Sequence, residues 1–155
     1  MYICPTERPE RMFRRGRPEV EYFSPDEMLF RRYRAQDWLS GGLSPLGFRF
    51  PGQSINRASM GEPEDVLFSE RGEFNGWGVL EFRTDDLPSS LDLPNVEVIK
   101  FFMTHVPLED NYAHSEIHSA TVSDHDEKRE LPSSVEKLFR AKLGQRMKVR
   151  IEASI

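Results

Sequence analysis

The sequence predicts an α+β fold: one domain with a mostly antiparallel sheet of about five strands, two or three helices, and an irregular arginine-rich N-terminal arm. Three observations carry this. Short runs of β-branched and aromatic residues recur along the chain, as LFRRYR, WGVLEFR, VEVIKFFM and MKVRIEA. Helix signals stand between only some of them, without the regular βαβ alternation of a parallel sheet. A chain of 155 residues, 37% hydrophobic and with 11 Phe, 4 Tyr and 2 Trp, is long enough for one sizeable core, and no composition shift marks a second domain.

Residues 1–23 carry Pro5, Pro9 and Pro18 and no sustained period, which predicts an arm, with residues 24–155 as the domain. Ser24 and Pro25, followed by Asp26 and Glu27, start a short helical turn that leads into a strand from about 28 to 34. Residues 39–53 hold four glycines and two prolines and read as a long loop. Pro63, with Glu64 and Asp65 near the positive end of the dipole, opens a helix, and Arg57 and Ser59 fall just before it. The run from Gly76 is a strand ended by DDLPSS. VEVIKFFM, residues 96–103, is apolar on both faces and predicts a central strand.

SSVEKLFRAKLG is the clearest helix. Ser133 and Glu136 fit a capping box, Val135, Leu138 and Phe139 form a buried stripe, and Gly144 suits a left-handed C-terminal residue. MKVRIEA alternates, with Met147, Val149, Ile151 and Ala153 on one face, so it predicts a strand with one wet side.

No apolar run approaches the roughly 18 residues of a membrane span, and the N-terminus lacks the apolar segment of a secretory signal. The single cysteine, Cys4, cannot form an intramolecular disulfide, and a cytoplasmic setting is expected. The net charge of −5 is unevenly spread. Residues 1–57 hold ten arginines against seven acids, residues 58–127 three basic residues against sixteen acids, and residues 128–155 eight basic residues against three acids. So acidic a middle argues against a general nucleic-acid binder and for opposite charges meeting on the folded surface. The arm's Arg8, Arg11, Arg14, Arg15 and Arg17 suit phosphate, an acidic partner, or the chain's own acidic middle.

The most suggestive chemistry lies in THVPLEDNYAHSEIH, residues 104–118, which contains His105, His114 and His118. In an extended chain the period of two puts His114, Glu116 and His118 on one face. One histidine neutral and one protonated near pH 7 can deprotonate a hydroxyl and protonate a leaving group while an arginine stabilises developing charge. The catalytic candidates are therefore His114, Glu116, His118 and His105. The candidates for holding substrate or phosphate are Arg57, Arg31, Ser59 and Tyr112, with Arg32 also available. Imidazoles and a carboxylate on alternate strand positions also suit a divalent metal, with Asp124, His125 and Asp126 as further ligands. However, H-x-E-x-H lacks the i, i+4 spacing of a helical zinc motif, so neither a metal nor a cofactor is predicted. There is no P-loop, G-x-G-x-x-G, G-x-S-x-G or paired Cys-x-x-Cys, and Cys4 has no activating neighbour in sequence.

The blocks LFRRYR, SINRASMGEPEDVLF, WGVLEF and NYAHSEIH, spanning residues 28–121 in that order, resemble a group of small uncharacterised bacterial proteins. That resemblance implies a bacterial, stand-alone cytoplasmic domain and carries over no catalytic residue. A second likeness is to ADP-ribosyltransferase-type toxins, whose order of an early-strand arginine, a serine-containing strand and a later glutamate is similar to Arg31 or Arg32, Ser54 or Ser59, and Glu116. The glycine and tryptophan signature of the NAD-degrading domains is missing here.

The functional expectation is a nucleotide or nucleic-acid substrate processed by histidine acid and base chemistry, as in toxin or defence activities. The alternative is a non-catalytic interaction module, an accessory or neutralising subunit whose acidic middle or basic arm docks on a partner protein. No membrane association is expected.

Overall fold

The structure is a computed structural model that describes residues 7–39, 42–43, 52–91, 98–121 and 131–154. The strands are β1 (Met28–Tyr33), β2 (Trp38–Leu39), β3 (Gly42–Leu43), β4 (Gly52–Arg57), β5 (Gly78–Arg83), β6 (Ser90–Leu91), β7 (Ile99–His105), β8 (His114–Thr121) and β9 (Lys148–Ile151). Seven of them form one antiparallel sheet in the order β6-β7-β8-β4-β1-β5-β9, and β2 and β3 form a separate hairpin. The helix α1 spans Ser133–Gly144, and the other helical segments among the described residues are 3₁₀ turns. The fold is α+β, with, among the described residues, seven strands in the sheet rather than about five, and one α-helix rather than two or three. No helix among the described residues is long and apolar enough to cross a membrane.

One face of the sheet carries the main core. Leu29, Tyr33, Ile55, Leu80, Phe82 and Ile117 point toward Val135, Phe139 and Leu143 of α1, where Phe101 meets the Phe139 ring at 4.4 Å. The helix stripe matches its expectation, but its ends do not. Pro132 occupies the N-cap and no side chain caps it, and Gly144 stays helical, with Gln145 after it also in the right-handed region. The other face carries a smaller cluster of Phe30, Val66, Leu67 and Val79. The helix opened by Pro63 is real but short, a 3₁₀ turn over Pro63–Leu67 in which Asp65 accepts from the Glu62 N–H at 3.0 Å.

The centre of the sheet is β4, GQSINR, which falls partly in the stretch expected to be loop. Its polar residues have low strand propensity, but pairing with β8 along Gly52–Asn56 and with β1 at Asn56 and Arg57 holds it extended. VEVIKFFM is not central. β7 lies next to the edge, covered there, among the described residues, by the two-residue β6. The last strand also departs from strict alternation. Val79 pairs with Ile151 and Leu80 with Val149, so β9 bulges by one residue. The bulge, between Val149 and Ile151, turns Ile151 against the smaller cluster, while before it Met147 packs into the main core and Val149 is exposed.

The described part of the arm, residues 7–23, is tied to the domain. Met12 is buried, its carbonyl accepts from the Tyr112 N–H at 2.8 Å, and the Arg14 N–H donates to Glu109 at 2.9 Å. Arg11 forms a bidentate pair with Asp65, and Arg8 pairs with Asp110. The positive arm thus lies on the acidic middle of its own chain.

Candidate active site in a split of the sheet

β1 and β4 pair only at Leu29↔Arg57 and Phe30↔Asn56. Beyond that point β1 stays with β5 as far as Tyr33, and β4 stays with β8 as far as Gly52. The two strands part, and the sheet opens between them. The Arg31 guanidinium fills the opening and donates to the Ser54 carbonyl at 3.0 Å. Over the split lies a cleft of about 400 Å³, within the size range of ligand pockets.

Its cationic wall comes from β1 and the segment after it. Burial, reinforced by the neighbouring Arg32 charge, pulls the Arg31 pKa down to about 10, so it stays a cation at neutral pH. Arg32 stacks over Phe74 at 4.2 Å and makes a long 3.4 Å bond to the Val66 carbonyl. Arg34 forms a bidentate pair with Asp37 at 2.9 and 3.1 Å. Arg8 closes the cleft from the arm, stacked on Phe68 at 3.8 Å, and Trp77 supplies a second aromatic wall.

The opposite wall comes from β4 and β8. The register sets Ser54 opposite Glu116 and Asn56 opposite His114, so these side chains share a face. Asn56 and Asn111 exchange two amide hydrogen bonds of 3.1 and 2.9 Å. His114 Nδ1 lies 2.8 Å from the Val106 carbonyl, to which it donates, and this leaves Nε2 as the acceptor facing Ser54 Oγ at 3.2 Å. A hydroxyl, a histidine held in one tautomer and a cluster of guanidinium groups therefore meet in one concavity.

The predicted residues separate into three groups. His114 and Arg31 line the cleft. Glu116 and His118 share the His114 face of β8, as the period of two requires, but stand beside the cleft. The Glu116 carboxylate rests over Gly52, where a side chain would collide with it, and the His118 ring stacks on Phe102 at 5.5 Å. His114 and His118 are four residues apart on a strand, roughly 13 Å, too far to serve as acid and base on one bond.

His105, Arg57, Ser59 and Tyr112 belong to a different network. His105 pairs with Ser115 and Arg57 with Leu29, which places both on the α1 face. His105 Nδ1 accepts from the Val20 N–H at 2.9 Å and Nε2 donates to the Tyr112 carbonyl at 2.7 Å, an arrangement that holds the neutral ring. Desolvation pulls its pKa down, and the nearby Arg57 charge adds to the shift. Arg57 is 2% exposed, and its donors go to Glu27, Val20 and Tyr22. Ser59 Oγ donates to Glu27 at 2.5 Å, and the Tyr112 hydroxyl to the Pro18 carbonyl at 2.6 Å. These residues fix the arm to the domain, and none of them reaches the cleft. Asp124, His125 and Asp126 lie outside the described residues, and among the described residues no three His, Cys, Asp or Glu side chains gather to hold a metal.

The residues that sequence reading passed over are Asn56, Asn111, Arg34 and Trp77, and Ser54 entered it only through a resemblance. The alternation of Ser54 and Asn56 in SINR was the available signal, hidden by the low strand propensity of the segment. Compared with protein-family models, curated proteins and solved structures, the chain matches none.

Proposed function

We propose that the protein binds a phosphate-bearing nucleotide, free or within a nucleic acid, in the cleft over the split sheet and processes it by proton transfer through His114. The observation that carries this reading is the fixed His114 ring, with Nε2 directed at Ser54 inside a cleft bordered by Arg31 and Arg32. Guanidinium groups suit phosphate oxygens, and Trp77 and Phe68 offer flat apolar walls for a base. His118 has no part in the step, and the anion is held by Arg31 and Arg32 in place of Arg57.

The test is calorimetric titration with adenosine 5′-monophosphate, NAD and a short single-stranded RNA, followed by chromatography of the products. Binding of at least one, with conversion lost in His114→Ala, is the expected result. Absence of binding by all three at millimolar concentration would overturn the reading in favour of an interaction module.

A second, narrower reading has its own observation. Arg31, Ser54 and Glu116 occupy the adjacent strands β1, β4 and β8, with Ser54 directly opposite Glu116. The order is similar to that of ADP-ribosyltransferase-type toxins and favours NAD as the nucleotide. Nicotinamide release from NAD, lost in Glu116→Gln, would select this reading over phosphate-ester chemistry.

A further inference from the structure

We propose that Ser54 is a nucleophile, activated by His114, that carries a covalent phosphoryl adduct during turnover. This inference rests on the reading of the cleft as a site for phosphate-bearing ligands, and goes beyond it by naming the attacking atom. Ser54 is exposed on the cleft face of β4, and its Oγ lies 3.2 Å from His114 Nε2. The proton on His114 Nδ1 is committed to the Val106 carbonyl at 2.8 Å, so in the neutral ring the lone pair sits on Nε2. Nucleophile, base and orienting group thus follow one another at hydrogen-bond distance, the arrangement that serine nucleophiles need. Here a main-chain carbonyl orients the ring in place of a carboxylate.

Ser54 is held from its other side as well. Its carbonyl accepts from Arg31, so the guanidinium that would face the transferring group also anchors the backbone of the nucleophile. β4 is the central strand, paired in register with β8, and a rigid element holds a reacting group more closely than a loop does. Arg31 and Arg32 border the same cleft and can meet charge developing on the equatorial oxygens.

The step balances without a metal or redox partner. Ser54 Oγ attacks phosphorus and its proton passes to Nε2. The P–O bond to the leaving group breaks, and the leaving oxygen takes the proton from Nε2. Water, deprotonated by the neutral Nε2, then attacks phosphorus. The O–P bond to Ser54 breaks, and the serine oxygen recovers the proton.

The test uses diisopropyl fluorophosphate on the full chain, with peptide mass spectrometry as the readout and nucleotide titration on the same samples. Reaction forms the Oγ–P bond, expels fluoride and passes the serine proton through His114 to solvent. One adduct at Ser54 is expected, absent in Ser54→Ala and formed about 10²–10⁴-fold more slowly in His114→Ala. Circular dichroism checks that both variants fold. If Ser54→Ala does not fold, Ser54→Cys keeps the geometry, and His114-dependent alkylation of position 54 by iodoacetamide takes the place of that control. No adduct at Ser54 in a protein that binds nucleotide, or equal labelling with and without His114, would overturn the nucleophile while leaving the nucleotide site intact. Labelling at Ser54 in a protein that binds no nucleotide would support the nucleophile and overturn the proposed ligand.

Discussion

Arg57 and Glu27 form a buried bidentate ion pair, Nε to Oε2 at 3.0 Å and Nη2 to Oε1 at 2.8 Å, with Phe23 stacked 3.8 Å from the guanidinium. Burial opposes ionisation of Glu27, but Arg57 and the Ser59 hydroxyl outweigh it and hold the carboxyl below its usual range. Removing one partner leaves an uncompensated buried charge, which costs about 3–5 kcal/mol. Glu27→Gln and Arg57→Ala should each lower the unfolding free energy by that order in urea titrations. A loss under about 1 kcal/mol would mean that water reaches the pair.

His105 gives a pH dependence of definite sign. The unfolded chain takes up this proton near the ordinary value of 6.5, and the folded ring takes it up lower. Between those two points the unfolded state binds more protons, so this contribution is fully present above about 6.5 and is lost as pH falls toward the folded value. Thermal midpoints should therefore decline below pH 6.5 more steeply in the parent protein than in His105→Gln. NMR titration of the ring should place its midpoint under 6.5, and a midpoint at or above that value would sink the account.

These two residues also show where the sequence was legible and where it was not. The strand expected to end at residue 103 runs on to His105, a residue expected to be catalytic, whereas the period of two does put His114, Glu116 and His118 on one face. Periodicity assigns residues to faces within one strand, but it does not say which face of a neighbouring strand is continuous with it. That depends on register, and here register puts His105 and Arg57 on the α1 side and His114 on the other. The central strand was missed for a related reason. Gln53, Ser54 and Asn56 are extended because they pair with β8, not because they favour strands. The cleft itself follows from the parting of β1 and β4, a feature with no signature in either segment alone.

The burial of the last strand makes a further distinction testable. Met147 and Val149 look equivalent in MKVRIEA, but Met147 is 6% exposed and Val149 38% exposed. Met147→Ala should cost about 2–5 kcal/mol, and Val149→Ala should stay within about 0.5 kcal/mol. Equal costs in denaturant titrations would mean that Val149 is packed as closely as Met147.

Gly78 is required by close approach rather than by a left-handed backbone. A Cβ there would collide with the Ile151 carbonyl, the Tyr33 ring and the Ala153 N–H, whose nitrogen lies 2.7 Å from that position. Two of these are backbone atoms of the last strand and the residues after it, and cannot swing away as a side-chain tip can. The Tyr33 hydroxyl accepts from the same Ala153 N–H at 3.1 Å, so the contact that excludes a methyl also anchors the chain end. Gly78→Ala should lower stability by about 1–3 kcal/mol and increase amide exchange at Ala153, measured by NMR. Unchanged exchange would show that the strand accommodates the methyl.

Arg32 and Arg57 should behave oppositely, which separates ligand binding from folding. Arg32 is exposed, sits over Phe74 and borders the cleft, whereas Arg57 is buried on the far face. A charge-assisted bond to phosphate contributes about 1.5–3 kcal/mol, so Arg32→Ala should weaken nucleotide binding roughly 10- to 100-fold. Its stability should change by no more than about 1 kcal/mol, the scale of an exposed cation–π contact. Binding should also weaken as salt rises, because the cleft is open to solvent. If Arg32→Ala binds nucleotide as tightly as the parent while Arg57→Ala, still folded, does not, the ligand contacts the α1 face and the cleft is not the site.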